Sequence, residues 1–396
     1  MAKQSVVVTG IGLVSSLGEG VESHLRQLAG ASAPQPIIEA GAYAPALVHP
    51  LPAIDWSTQI ERKGDLRQME TWQKLGTYTA GLALDDAAIP KDEAFRATMD
   101  MIVAAGGGER DETVDALVMA RARGAEDPRA DINELLMTEL RPTLFLAQLS
   151  NLMAGNISIV HKVTGSSRTF MGEESAGISA FHVAASRIAA GQSRICLVGG
   201  AFSAQRKDIL VNYELGDYLL HAPCQPVFSR SGKGGFTPGA MGAFLVLESA
   251  ESAAERNVPA YARLGFVAGD RGPRDDEALA ARLSRMFADS GADARDLMVL
   301  SGATGLQPIT DVERRTVAAR YPDAALRAYG NAIGHGMEAQ FGMGLALAAA
   351  ALSRGAMPAP ADGGEERPAG FTPRQAIVTT IGHVRGEGVG LLEAIG

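Results

Sequence analysis

The sequence predicts an α/β fold with largely parallel sheets, and three observations lead there. Short β-rich runs end in glycine, helical runs lie between them, and the order of these parts repeats once along the chain. At 396 residues, the chain exceeds the roughly 250–300 residues at which a single hydrophobic core stops growing, so two domains or a duplicated one are expected.

The expected strands, in order, are SVVVTG (5–10), MIVAAGGG (101–108), RICLVGG (194–200), FLVLES (244–249), LMVLSGATG (297–305) and AIVTTIG (376–382). Each is a short apolar run, the pattern of a strand buried on both faces. Helical runs fall at 70–89, 143–160, 175–191 and 339–355, the last two rich in Ala and Gly. The charge-dense, helix-prone stretch 108–136 reads as peripheral, and the Pro/Gly-rich stretch 353–375 as a surface loop before the last strand. Strand 101–108, helix 175–191 and strand 194–200 are echoed by strand 297–305, helix 339–355 and strand 376–382, which suggests two similar halves packed together.

An apolar fraction of 46% with a mean hydropathy of +0.04 describes a soluble protein with a large interior. A net charge of −9 disfavours nucleic acid or an anionic membrane as partner, while leaving room for an acidic carrier protein at a local basic patch. The two cysteines, Cys196 in ICLVGG and Cys224 in a loop-like stretch, supply neither a disulfide framework nor a Cys-type zinc site. The start MAKQSVVVTG lacks a signal-type apolar region and no segment approaches 18 continuous apolar residues, so a cytoplasmic protein is expected.

Few motifs carry chemistry. GIGLVSSLG imitates a dinucleotide-binding turn but has Ser15 at the third glycine position and no acidic strand end about 20 residues on. No Walker A, H-x-H or H-E-x-x-H pattern occurs, and the histidines are scattered, so neither cofactor nor metal is expected. His182, on an Ala-rich helix, reads as a satisfied core histidine. GEESAG around Ser175 is no nucleophile elbow, because Glu173 stands where glycine is needed. Three candidates remain: Glu174 at a helix start, His335 in NAIGHGMEAQFGMG and His383 in IGHVRGEGVG. A helix start is where a nucleophile's anionic form is favoured, yet this one carries a carboxylate.

VVVTGIGLVSSLG, LSNLMAGNISIVHKVTGSS, GISAFHVAASRIAAGQSRICLVGGA, PVFSRSGKGGFTPGAMGAFLVLESAESAAERN and NAIGHGMEAQFGMG, in that order, resemble the β-ketoacyl-[acyl carrier protein] synthases of the thiolase superfamily. The resemblance implies a five-layered αβαβα thiolase-like fold from two duplicated halves. These would form one compact unit: a first half over 1–250, with a helical insertion at about 108–165, and a second over 251–396. It also implies an obligate dimer. Active members use a cysteine at the helix start, two histidines, and a lysine five residues before the second histidine. Counting from shared motifs places the cysteine on Glu174, the first histidine on Ala303, the lysine on Gly330, and the second histidine on His335.

Three of four catalytic groups would then be missing. A carboxylate acylates only to a labile mixed anhydride, and alanine donates nothing to an oxyanion. The pattern is similar to that of chain-length factors, ketosynthase-like subunits without the cysteine that pair with an active ketosynthase, with acyl carrier protein as the common partner. Glutamine is frequent in those proteins at the cysteine position, so Glu174 is a departure. It could cap its own helix or form an ion pair across the dimer interface, where the resemblance places strand 166–172. The family's gating loop here reads IGHVRGEGVG, with Ile381 and His383 in place of phenylalanines. A glutamine-bearing decarboxylase group is a poorer match, because it keeps both histidines. Two alternatives stay open: an enzyme using Glu174 and His335 as an acid/base pair on acyl or malonyl thioesters, and a homodimeric binding protein without turnover.

Overall fold

The computed structural model describes residues 3–30, 35–124, 126–140 and 148–395. Its strands are β1 (Val6–Ser15), β2 (Gly18–Glu19), β3 (Asp100–Ala104), β4 (Ser167–Phe170), β5 (Ile195–Phe202), β6 (Met241–Ser249), β7 (Ala262–Asp270), β8 (Leu297–Ser301), β9 (Ala325–Ala328), β10 (Gln375–Ile381) and β11 (Glu387–Glu393). They connect in the order β4-β3-β5-β6-β1-β7-β11-β10-β8-β9, with β2 folded back on β1.

The order hides a repeat. From the middle outward, β1 pairs antiparallel with β6, β6 antiparallel with β5, and β5 and β3 continue in parallel to β4. The other side takes the same steps: β7 antiparallel to β11, β11 antiparallel to β10, then β8 and β9 in parallel. Among the described residues, strand pairing joins the two five-stranded units where Val7 faces Arg263 and Val8 faces Ala262. Two sheets of one topology, each carrying helices on both faces, make the thiolase-like five-layered architecture.

The middle layer holds the helices Glu173–Ala189 and Gln340–Arg354, which pack on each other and on strands of both sheets. Their small residues are a requirement of that closeness. A Cβ on Gly344 would come 2.6 Å from Val378 Cγ1, and one on Gly177 would come 2.6 Å from the Glu338 carbonyl oxygen. Gly355, at φ 57°, ends the second helix in the left-handed conformation. Outside the first sheet lies the helix Thr71–Asp86, which starts where the Gln73 side chain accepts the Glu70 N–H at 3.0 Å. Outside the second lie Asp276–Ser290 and Ile309–Arg320. Three apolar clusters fill the spaces between layers.

Several expectations need correction. AIVTTIG is not the last strand, because the hairpin β10–β11 follows it; EGVGLLE, with two glycines, lacks a continuous apolar run. β7 was hidden because its buried residues alternate with exposed Arg263 and Gly265, and β9 is only four residues long. The runs MIVAAGGG and LMVLSGATG stop as strands at Ala104 and Ser301, the glycines beyond serving as loop. Of the helix expected over 143–160, residues 143–147 lie outside the described residues, and the helix observed is Leu152–His161. Stretch 108–136 forms Glu112–Ala122 and the start of Pro128–Thr138, capped by Asp111 and Asp127. His182 is not a core residue: it is exposed, and its Nδ1 lies 2.8 Å from the Val267 carbonyl oxygen. Among the described residues no helix is long and apolar enough to cross a membrane.

Candidate functional site

Between β4 and the central helix the chain turns through Gly172 at φ 122° and Glu173 at φ 51°. A residue with a side chain in that left-handed region stores about 1 kcal/mol or more, and the turn sends the next side chain, Glu174, inward. Glu174 is 1% exposed. Its Oε1 accepts three hydrogen bonds: from His335 Nε2 at 2.7 Å, from His383 Nδ1 at 2.9 Å, and from the His383 backbone N–H at 3.0 Å.

Each donor is held by its own surroundings. The His335 backbone is pinned on both sides, its N–H donating to the Thr237 carbonyl and its carbonyl accepting from Gly239 N–H, both at 2.9 Å. His383 lies in the turn joining β10 to β11, which Gly382 N–H closes onto the Gly386 carbonyl at 2.8 Å. Tyr213, Tyr218 and Phe236 stand edge-on to the His383 ring at centroid distances of 5.6, 5.0 and 5.5 Å, and Phe236 also contacts His335 at 5.4 Å.

Burial alone would push the Glu174 carboxyl up, but the His383 charge and the hydrogen bonds from His335 and His383 outweigh it and hold the group well below the usual carboxylate range. Burial likewise opposes a charged His383, and the Glu174 and Glu173 carboxylates overcome it, raising the imidazole above the ordinary histidine value. An ionised carboxylate only accepts, so His335 carries its proton on Nε2 and His383 on Nδ1. His335 Nδ1 is buried without a hydrogen-bond partner. On the far side of His383, Nε2 lies 3.6 Å from Glu173 Oε1.

Within the chain, the Glu174 Oε1 contacts run to His335 and His383 rather than to the first N–H groups of its own helix. Glu173, Glu174 and His383 do offer three potential metal-ligand atoms within 4.8 Å of one another. Yet three N–H groups already point at one Glu174 oxygen, an arrangement that holds an anion rather than a cation.

The other assigned positions form a different environment. Ala303 is buried in an apolar cluster with Val227, Phe228 and Ala328. Gly330 adjoins it, since a Cβ there would lie 3.6 Å from Val227 Cγ2 and 3.8 Å from the Ala303 carbonyl oxygen. Ile381 closes β10 and belongs to the core, so of the two gating-loop positions only His383 reaches the carboxylate. No thiol joins the site: Cys196 is buried in β5 and Cys224 is exposed.

Sequence reasoning missed Glu338, a buried carboxyl two residues before the helix Gln340–Arg354. Burial, with the charges of Glu174 and Glu173 adding to it, pushes this group up to about 7. Its only signal was an acidic residue inside the glycine-rich run NAIGHGMEAQFGMG.

A duplicated five-layered fold with a central helix start facing two histidines defines a ketosynthase-like protein of the thiolase architecture. Residues 3–253, more than half of the chain, match the family model of the β-ketoacyl synthase N-terminal domain, and the chain belongs to that family. It is 28% identical over 357 residues to 3-oxoacyl-[acyl-carrier-protein] synthase 2 of Rhizobium meliloti (strain 1021), a match covering 83% of this chain and 82% of the relative. To the enzyme of that name from Vibrio harveyi it is 26% identical over 279 residues, 68% of this chain and 64% of the relative. Among solved structures, the ishigamide ketosynthase/chain length factor is similar over the whole of both chains (TM-score 0.80, 20% identity). A β-ketoacyl synthase from Burkholderia phymatum STM815 matches 99% of this chain and 100% of that one (TM-score 0.79, 16% identity). A type II polyketide acyl carrier protein in complex with its ketosynthase bound to the hexaketide also matches 99% of this chain and 100% of that one (TM-score 0.75, 16% identity). At such identities these structural matches are likenesses of fold.

Proposed function

We propose that the chain is a non-condensing ketosynthase-like subunit, of the chain-length-factor kind, which pairs with an active β-ketoacyl synthase in fatty acid or type II polyketide biosynthesis and shapes the tunnel of the growing acyl chain. One observation carries this reading: where the family resemblance places the acyl-accepting thiol stands a buried carboxylate whose oxygen is held by three N–H donors. A carboxylate so held is a poor nucleophile and stores no thioester. The apolar filling around Ala303 and Gly330 supports the same reading, because neither residue has a side-chain donor for a developing oxyanion. Similarity to a structure described as a ketosynthase/chain length factor, and to one holding a carrier protein, adds support for a ketosynthase partner and a carrier-borne substrate. The protein would work in the cytoplasm without a cofactor of its own.

The second reading, an enzyme with Glu174 and His335 as acid and base, draws on their 2.7 Å contact. Against it, a carboxyl held well below its usual range is a weak base at neutral pH. The test is Glu174→Gln in a complex with an active ketosynthase. A scaffold subunit keeps the wild-type condensation rate and product length, whereas loss of malonyl consumption in the variant establishes the acid/base reading instead.

A further inference from the structure

Glu174 is held as a bound anion would be. Three N–H groups converge on a single oxygen at 2.7, 2.9 and 3.0 Å, and they come from two separate elements, the turn before the helix Gln340–Arg354 and the β10–β11 hairpin. None depends on Glu174 for its place. The His335 backbone is fixed by Thr237 and Gly239, the His383 turn by the Gly382–Gly386 bond, and both rings by Phe236 with Tyr213 and Tyr218 beside His383. The positive field is not His383's alone. Arg274, whose Nε is ion-paired to Glu387 Oε1 at 3.1 Å without hydrogen-bond geometry, lies within electrostatic reach of Glu174, and among the described residues its buried guanidinium nitrogens have no hydrogen-bond partner.

We propose that the chain contains a preformed carboxylate-binding hole, made by His335 Nε2–H, His383 Nδ1–H and the His383 peptide N–H, that its own Glu174 occupies and that accepts a small monocarboxylate once that side chain is removed. The atoms lost in Glu174→Ala, a methylene and a carboxylate, have the size and charge of acetate. The half-buried Glu173 stands beside the hole, its Oε1 3.6 Å from His383 Nε2. The hole deepens the non-condensing reading by explaining why the site is silent: its anion donors are already filled. It rests on this chain's own groups, so a test on the isolated chain is independent of whether a partner ketosynthase exists.

The experiment is calorimetric titration of acetate into wild type, Glu174→Ala and Glu174→Gln. Glu174→Ala binds one acetate per chain at least about tenfold more tightly than wild type or Glu174→Gln, the order of effect expected for charge-assisted hydrogen bonds, and adding His383→Phe to it abolishes the binding. A folded Glu174→Ala protein that binds acetate no better than wild type overturns the proposal. If Glu174→Ala does not fold, 15N spectra of the wild-type imidazoles decide: the proposal requires a proton on His335 Nε2 and on His383 Nδ1, and its absence from either nitrogen overturns it.

Discussion

The Glu174 centre and the Ala303 corner are served by neighbouring stretches of one segment, Gly330 and Asn331, whose Oδ1 accepts the Val227 N–H, reaching the corner and His335 the centre, and they are opposite in chemistry. At the centre a buried charge is held by two buried imidazoles, a peptide N–H and a ring of aromatic side chains. At the corner stand Ala303 and Gly330, packed by Val227, Phe228 and Ala328. A polar centre and an apolar corner make unlike demands on the fold. A buried polar centre must be satisfied in full or removed, whereas an apolar corner has only to be filled.

The largest effect expected from this contrast is at the centre. Glu174→Ala strands two buried histidines and a peptide N–H, and urea unfolding at pH 7 should show a loss of about 3–5 kcal/mol, as for breaking a buried ion pair from one side. A loss below about 1 kcal/mol, typical of an exposed pair, would mean that the donors do not form a fixed site. Next comes the corner, tested by refilling it. Ala303→His overpacks Val227 and Phe228 and should destabilise by about 1–3 kcal/mol, and combining it with Gly330→Lys should restore no condensation. Tolerance of both changes without loss would show room in the corner for the missing groups.

A pH titration of stability sharpens the comparison further. The native value of His383 is raised, so its contribution is complete below the unfolded value near about 6.5 and is lost as pH rises through the native one. That of Glu174 is depressed, so its contribution is present above the ordinary carboxylate value and is lost as pH falls towards the native one. Glu338, raised to about 7, adds a loss with rising pH in the same direction as His383. Stability should therefore peak in mildly acidic solution. Glu174→Gln should flatten the His383 component and Glu338→Gln the other, whereas an unchanged profile in both variants would contradict the assignment. Smallest of all, His182→Ala should change stability by within about 0.5 kcal/mol, because the ring is exposed and makes one contact to a carbonyl.

The α/β alternation, the duplication and the two central helices were legible because buried strands and Ala/Gly-rich helices write continuous small-apolar patterns. β7 and β11 were not, since interleaved glycines and a half-exposed face dilute the signal of a buried strand. Each member of the centre was visible alone: Glu174 as an odd residue at a helix start, His335 and His383 in glycine-rich turns. Their meeting was not, because the contacts span 161 and 209 residues and depend on turn geometry at Gly172 and Glu173 that single-residue patterns do not encode. His182 differs for the opposite reason: an Ala-rich helix suggests a buried histidine, while the face of this helix that carries His182 is open.

The decisive measurement is intact-mass analysis of the chain, alone and mixed with an active ketosynthase, after incubation with acyl- and malonyl-loaded carrier protein. The account predicts that only the mixture condenses and that the acyl mass appears on the ketosynthase, with this chain unmodified. An acyl adduct on this chain, or malonyl consumption by it alone, would contradict the account and make Glu174 and His335 an active site.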